Sequence, residues 1–140
     1  QVVSASVASV EFTGLSGYNR YIVHLNMLEC NYAQPRLRFG TDGVYDTSSN
    51  YDGVDHIAIG SSSSKYNHSV EIRITGMSLP AITNYQKILV EGVWSSLASS
   101  SDAHGEIRTM YSGVNKNSIL IYADANSFTG GSISIYGVKG

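Results

Sequence analysis

Apolar and polar residues alternate along most of this chain, and the C-terminal segment shows the alternation most clearly. Ile133 and Ile135 occupy one phase, whereas Ser132, Ser134 and Tyr136 occupy the other. A period of two places successive side chains on opposite faces of a strand, so this pattern is typical of a half-buried β-strand. Similar segments recur along the chain with no helical period between them. The pattern therefore predicts an all-β protein.

The alternation predicts eight or nine strands. The predicted segments are 7–12, 18–30, 36–40, 56–59, 69–76, 87–94, 105–111, 118–123 and 132–138. In the second of these, Leu25 and Met27 share one phase, and Ile22 and Leu28 share the other. Because both phases carry apolar residues, this strand is predicted to be central, with one phase in the core and the other partly covered. Loops rich in Gly, Ser, Asn and Asp separate the strands, and the segments 41–55 and 96–103 are interpreted as long loops.

The length of the chain and its loop pattern limit the architecture. With 140 residues, the chain is predicted to form one domain, residues 1–140, that is large enough to bury a core. Eight or nine strands of this size fit a two-sheet sandwich, a jelly roll or a small barrel. Long connections suit Greek-key crossings better than tight hairpins. The predicted fold is therefore a two-sheet antiparallel β-sandwich that is jelly-roll-like.

The surface is polar but carries little charge. Charged residues make up 14% of the chain, against roughly 25% in typical soluble domains, and the net charge is -2. Since there is no basic stripe, we expect no nucleic-acid partner. No run approaches the ~20 apolar residues that span a bilayer, so we expect no membrane insertion. The lone Cys30 has no second cysteine with which to form an intrachain disulfide.

No residue cluster specifies a metal, a cofactor or a reaction. The loop 41–55 holds four aspartates, but their spacing does not match a calcium loop, and turn chemistry is the favoured interpretation. The four histidines lack metal-ligand spacing and are interpreted as surface or interface residues. A G-x-S-x-G elbow is absent. Strand glutamates could converge as a glycosidase pair or equally form ion pairs with neighbouring Arg and Lys. We therefore predict no catalysis, no metal and no cofactor.

Aromatic residues supply the candidate ligand-binding positions. Tyr45, Tyr51 and Tyr66 fall in predicted loops, and Trp94 ends a predicted strand. Flat rings beside Asn, Asp and Ser can bind the apolar face and hydroxyl rim of a sugar, and aromatic residues also dominate protein interfaces. For the tyrosines, plain loop packing is an equal alternative. Trp94 is in phase with Ile88 and Val90, which favours core packing for its ring.

Three stretches together resemble a known group of domains. They are FTGLSGYNRYIVHL (12–25), LRFGTDGVYD (37–46) and FTGGSISIYGV (128–138). In this order they resemble the small jelly-roll domains of tailed-bacteriophage virion proteins, found at fibre tips, in head fibres and in capsid-decorating proteins. These stretches contain turns and core positions and no catalytic residues. The chain departs from the fibre pattern because no shaft or coiled-coil segment precedes the domain.

The resemblance implies a role in the virion. It implies a noncatalytic structural protein, a homotrimer in contact with other virion proteins, whose tip attaches to the host surface through a glycan. Two alternatives remain open. One is a capsid-decorating protein that stabilises the head, and the other is a cellular module of the carbohydrate-binding or trimeric cytokine-like kind.

Overall fold

The computed structural model describes residues 3, 6–61, 65–77, 86–97, 102–113 and 116–139. Ten strands occur in these residues. They are β1 (Ser9–Phe12), β2 (Arg20–Asn31), β3 (Pro35–Thr41), β4 (Val44–Tyr45), β5 (Ile57–Ala58), β6 (Lys65–Thr75), β7 (Gln86–Leu97), β8 (Asp102–Gly113), β9 (Ser118–Ala123) and β10 (Phe128–Val138). This part of the chain contains no helix, and so none with the length and apolar character to cross a membrane.

The strands form two antiparallel sheets. In the first, here called the long sheet, the strand order is β10-β2-β6-β7-β8. The second, here called the short sheet, has the order β1-β9-β3-β4, and β5 also pairs with β3. The chain passes from one sheet to the other five times, between β1 and β2, β2 and β3, β5 and β6, β8 and β9, and β9 and β10. This arrangement confirms the predicted all-β, two-sheet sandwich.

The observed strands differ from the predicted ones mainly in their ends. The predicted loop 41–55 contains the short strand β4, whose two residues cannot display a period of two. Strand β6 begins at Lys65 and β10 at Phe128, each several residues before the predicted start. Those early positions, KYNH (65–68) and FTGG (128–131), show no alternation of apolar and polar residues. Backbone pairing with neighbouring strands therefore extends beyond the alternation that is visible in the sequence.

Apolar side chains from both sheets meet in one buried cluster. Val23, Ile72 and Val90 of the long sheet and Leu37 and Ile121 of the short sheet are completely buried. Burying a side chain of this size contributes about 1.5–3 kcal/mol. A strand that slipped by one residue would turn its buried set towards solvent, so this core also maintains the register of the sheets.

A β-bulge interrupts the alternation in β2. The register with β6 shifts between Leu25 and Leu28, and Met27 adopts a positive φ of 50°. Leu25 is buried, but Met27, which shares its phase in the sequence, is 49% exposed, and Leu28 of the other phase is fully buried. One extra residue in a strand reverses the phase of all that follow. Opposite the bulge, β10 has its own irregularity around Gly131, at a φ of 95°.

An aromatic cluster joins the two sheets at one end of the core. Phe39 of β3 lies 5.2 Å from Tyr111 of β8, measured between ring centroids. Tyr51, from the connection between β4 and β5, packs 4.7 Å from Tyr111 and 6.2 Å from Phe39. Such aromatic pairs stabilise a fold by about 0.5–1.5 kcal/mol beyond the area they bury. The cluster therefore holds the 46–56 connection against both layers.

The carboxylate of Asp46 completes this attachment. Tyr111 donates its hydroxyl hydrogen to Asp46 Oδ2 at 2.7 Å, and Asn50 Nδ2 donates to the same oxygen at 2.9 Å. The backbone N–H of Ser48 donates to Oδ1 at 2.8 Å. Burial acts to raise the pKa of Asp46, but the hydrogen bonds from Ser48, Tyr111 and Asn50 together lower that pKa well below its usual value.

We expect Asp46→Asn to destabilise the protein in a pH-dependent way. A carboxyl whose pKa is lowered by folding stabilises the native state above its unfolded pKa, and this is lost as pH falls through the folded pKa. At pH 7 the variant should lose about 1–3 kcal/mol, the typical effect of removing hydrogen bonds to a charged group. The difference from the parent protein should shrink below about pH 4. Urea unfolding at several pH values measures this difference in the free energy of unfolding.

Asp52→Asn is the matched control, because Asp52 is exposed and occupies a turn with a positive φ of 57° that Asn also tolerates. At neutral pH this control should change the unfolding free energy by less than about 0.5 kcal/mol. An Asp46→Asn variant as stable as the control at pH 7 would contradict the proposed attachment.

Candidate ligand-binding groove

The outer face of the long sheet contains a shallow groove of about 430 Å³. Strands β2, β6 and β7 bound it, and the residues that line it are His24, Leu25, Asn26, Ser69, Val70, Glu71, Val93, Trp94 and Ser95. Leu25 and Val70 are buried residues of the core face, so they contribute to the floor. The alternate positions point outward, and most of them are polar. The groove is therefore an open depression on one face of the sandwich, with both polar and apolar surface in its lining.

The strand register places complementary polar groups side by side in this groove. His24 of β2 lies opposite Glu71 of β6, and Glu71 lies opposite Val93 of β7. The distance between His24 Nε2 and Glu71 Oε2 is 3.4 Å, and these side chains are 38% and 51% exposed. An exposed pair of this kind stabilises a fold by only about 0–1 kcal/mol. Its hydrogen-bonding groups remain accessible to a ligand.

An exposed aromatic ring extends the groove towards β10. Tyr136 is 54% exposed, and its ring packs edge-on against that of His24 with the centroids 5.6 Å apart. The contact fixes the orientation of both rings, because each restricts the rotation of the other. Tyr136 thus presents a flat apolar surface beside the groove.

The bulge in β2 shapes the other end of the groove. Asn26 and Met27 are both exposed, although successive residues of a regular strand point to opposite faces. The hydroxyl of Ser69 lies 3.7 Å from the sulfur of Met27. The bulge therefore turns Met27 outward beside Asn26, on the face to which an uninterrupted strand would direct Asn26 alone.

A second, smaller depression of about 260 Å³ lies beside the first on the same face. Its lining residues are Arg73, Glu91, Gly92, Val93, Glu106, Ile107 and Arg108. Val93 borders both depressions and is 59% exposed. Arg73, Glu91 and Arg108 lie in one row across three strands, so each charge faces one of opposite sign.

The structure places Tyr51 in the core, and its prediction as a surface ligand-binding residue is wrong. Its side chain is fully buried. The backbone N–H of Phe39 donates to the Tyr51 hydroxyl at 2.8 Å, and that hydroxyl donates to the backbone oxygen of Asp46 at 3.1 Å. Burial, together with the nearby charge of Asp46, raises its pKa above the usual range for tyrosine. A loop position in the sequence did not indicate that the ring turns inward.

Tyr45 lies in the short sheet, on the opposite side of the sandwich from the groove. It pairs with Gly40 of β3, and its ring covers that glycine so closely that a Cβ at Gly40 would lie 2.6 Å from Tyr45 Cδ1. Burial and the charge of Glu11 raise the pKa of Tyr45 to about 12. Its ring therefore serves to pack the short sheet.

Trp94 borders the groove, but its ring packs elsewhere. The side chain is partly buried against the core, and a Cβ at Gly105 of β8 would lie 2.6 Å from Trp94 Nε1. This arrangement supports the core interpretation that its phase with Ile88 and Val90 favours. For Tyr66 the structure describes only the backbone, in β6, and its side chain lies outside the described residues.

Tyr45, Tyr51 and Trp94 are therefore not brought together. The residues that do converge are His24, Asn26, Glu71 and Tyr136. Tyr136 carried a recognisable signal, because it is an aromatic residue in the polar phase of a well-defined strand. His24, Asn26 and Glu71 have no comparable signal in the sequence, because only the strand register brings these polar residues together.

Two buried titratable residues, His68 and Cys30, belong to the interior of the fold. His68 was interpreted as a surface or interface residue, but it is completely buried, and its Nε2 accepts a hydrogen bond from the backbone N–H of Ser61 at 3.1 Å. Burial, followed by the charges of Asp124 and Glu29, raises the pKa of the Cys30 thiol to about 12, so this thiol is unreactive. Among the described residues, no three His, Cys, Asp or Glu side chains are grouped to hold a metal ion.

Neither a protein-family model, nor a curated protein, nor a solved structure matches this chain. The resemblance to phage virion domains thus stays a prediction that depends on the three quoted stretches. Function must be argued from the geometry of the groove.

We expect Gly92→Ala to destabilise the protein and distort the groove. Gly92 of β7 lies between β6 and β8, and a Cβ there would collide with the carbonyl oxygen of Glu71 and lie 3.1 Å from Ile72 Cα. Backbone atoms cannot rotate away as a side chain can, so the strands must move apart. The cost should be about 1–3 kcal/mol, the usual range for overpacking. Thermal and urea unfolding measure it.

Ser95→Ala is the matched control for this substitution, since Ser95 is exposed on the same strand. It should change stability by less than about 0.5 kcal/mol. If Gly92→Ala were as stable as Ser95→Ala, close approach of the backbones at Gly92 would not be required.

Proposed function

We propose that this protein is a noncatalytic structural protein of a bacteriophage virion, and that it forms a fibre or spike tip that attaches to a glycan on the host surface. The observation that carries the proposal is the groove on the outer face of the long sheet, in which the polar side chains of Asn26, Glu71 and Ser69 lie beside the exposed ring of Tyr136. The phage assignment rests on the resemblance of the three sequence stretches alone.

The chemistry of the groove suits a sugar. A pyranose ring has apolar C–H faces and a rim of hydroxyls that both donate and accept hydrogen bonds. The Glu71 carboxylate can accept hydrogen bonds, and the Asn26 amide can both donate and accept them. The Tyr136 ring provides a flat apolar surface. The groove is open and short side chains line much of it, so binding at one site should be weak. Weak sites suit a protein that acts in many copies.

The groove lacks the arrangement of a typical glycosidase. Hydrolysis generally requires two carboxyl groups that flank the bond to be broken. Of the residues that line this groove, Glu71 alone has a carboxyl group, and Glu106 of the neighbouring depression lies two strands away, on β8. The His24–Glu71 pair is open to solvent on the face of a sheet, where water is not excluded from the charged groups. This supports binding without turnover.

Capsid decoration is the second candidate, and one observation favours it. Val93, Leu97 and Met110 are 59%, 52% and 40% exposed and all lie on β7 and β8 of the long sheet. Exposed apolar side chains that lie on neighbouring strands are typical of protein contacts. In that case the purified protein should bind expanded shells that lack it and raise their melting temperature.

Assembly as a homotrimer, with contacts to other virion proteins, belongs to the same proposal. Three copies would present three grooves, and simultaneous engagement raises the overall affinity by orders of magnitude without new contacts. The low net charge of -2 limits repulsion between copies.

We expect light scattering at micromolar concentration to give a mass three times the chain mass of 15.1 kDa. Dilution should reveal a single transition from trimer to monomer, because a closed ring of three copies has no stable open intermediate. A monomer at all concentrations would contradict the trimeric assembly, although the groove would remain available for binding.

We expect Tyr136→Ala and Asn26→Ala each to weaken glycan binding about tenfold, which corresponds to about 1.4 kcal/mol. The first removes the apolar platform and the second removes a donor and an acceptor. The binding of each variant to host cells and to an array of bacterial surface glycans is compared with that of the parent protein. Surface plasmon resonance measures the affinity.

Val44→Ala is the control for these variants, because Val44 is 76% exposed but lies in β4 of the short sheet. Its binding should equal that of the parent protein. Undiminished binding by both groove variants would show that attachment occurs on another surface.

A further inference from the structure

We propose, on the basis of the proposed function, that the ligand is an extended neutral oligosaccharide that lies across the strands of the long sheet and occupies both depressions at once. The first depression lies on β2, β6 and β7, and the smaller one continues from it over β7 and β8. The two share Val93, so no polar barrier separates them.

The dimensions of the sheet set the length of this ligand. Neighbouring strands are about 4.8 Å apart, so the path from β2 to β8 measures about 14 Å, and Tyr136 on β10 extends it to about 19 Å. A pyranose unit with its glycosidic bond spans about one strand spacing. The path therefore accommodates about three to four sugar units.

Val93 provides the central contact of the path. Its side chain is 59% exposed, and its cross-strand neighbours on the two sides are Glu71 and Glu106. An apolar side chain between two acceptors matches a sugar ring, which can place a C–H face on the valine and its hydroxyls towards the carboxylates. Tyr136 and Val93 then supply apolar contacts at two points along one chain.

The charge pattern indicates a neutral ligand. Arg73 faces Glu91, and Glu91 faces Arg108 across the strands, so these charges compensate one another. The guanidinium of Arg73 also lies 3.9 Å from Glu71, measured from Nε to Oε1. No cationic side chain among the residues that line either depression lacks an acidic neighbour, so an anionic sugar gains no unopposed positive charge. The hydroxyl groups of a neutral sugar can donate hydrogen bonds to the carboxylates and accept them from the guanidinium groups.

The test is a length series. An array of bacterial surface oligosaccharides, graded from one to six units and with neutral and acidic members at each length, is probed with the full chain. Affinity should rise with length and level off at about four units, with neutral members preferred. Glu106→Ala and Arg108→Ala, on the distal strand β8, should weaken binding of the four-unit neutral ligand by about fivefold to tenfold and leave the binding of two-unit ligands unchanged.

Asn26→Ala provides the contrast, because it should weaken binding at every length. Affinity that is independent of length, a preference for acidic members, or distal variants without effect would overturn the inference and leave attachment by the first groove intact. Absence of binding to any member would overturn the proposed function and this inference with it. A change of oligomeric state in Glu106→Ala would place a second copy of the chain on this face instead.

Discussion

Register in the long sheet is the constraint on which the rest of the structure depends. Tyr21, Ile74 and Val90 lie side by side on the inner face, and each is buried. Because side chains alternate between faces, a slip of one residue would expose all of them to water. The same register places His24 opposite Glu71 on the outer face. The groove is thus a geometric consequence of the apolar core beneath it.

Two departures from regular strand geometry give the outer face its shape. The bulge at Met27 makes Asn26 and Met27 both point outward, and it reverses the phase so that Leu28 is buried. Gly92 allows β6 and β7 to approach more closely than any residue with a side chain would permit. A flat, regular sheet with the same composition would have neither feature. The candidate site therefore depends on local irregularities held in place by a regular core.

Several aromatic residues of this protein contribute to packing and not to a binding surface. Tyr45 and Trp94 each cover a glycine of a neighbouring strand, at Gly40 and Gly105, where the missing side chain would otherwise leave space. Tyr51 closes the end of the core. Among the described tyrosines of the outer faces, Tyr136 is the one that stands beside the groove with more than half of its surface exposed. Its position in the polar phase of β10 was visible in the sequence, whereas the covered glycines depend on cross-strand neighbours.

The sequence by itself determined the all-β class, most of the long strands and the inward phase of residues such as Ile72 and Ile133, because period-two alternation is a local property. Only the tertiary structure decided which strands are neighbours, that Tyr51 turns inward, and that His24, Glu71 and Tyr136 meet on one face. Those facts depend on pairing between segments far apart in the chain, and on the bulge at Met27. A pattern read along the chain contains no information on distances across it.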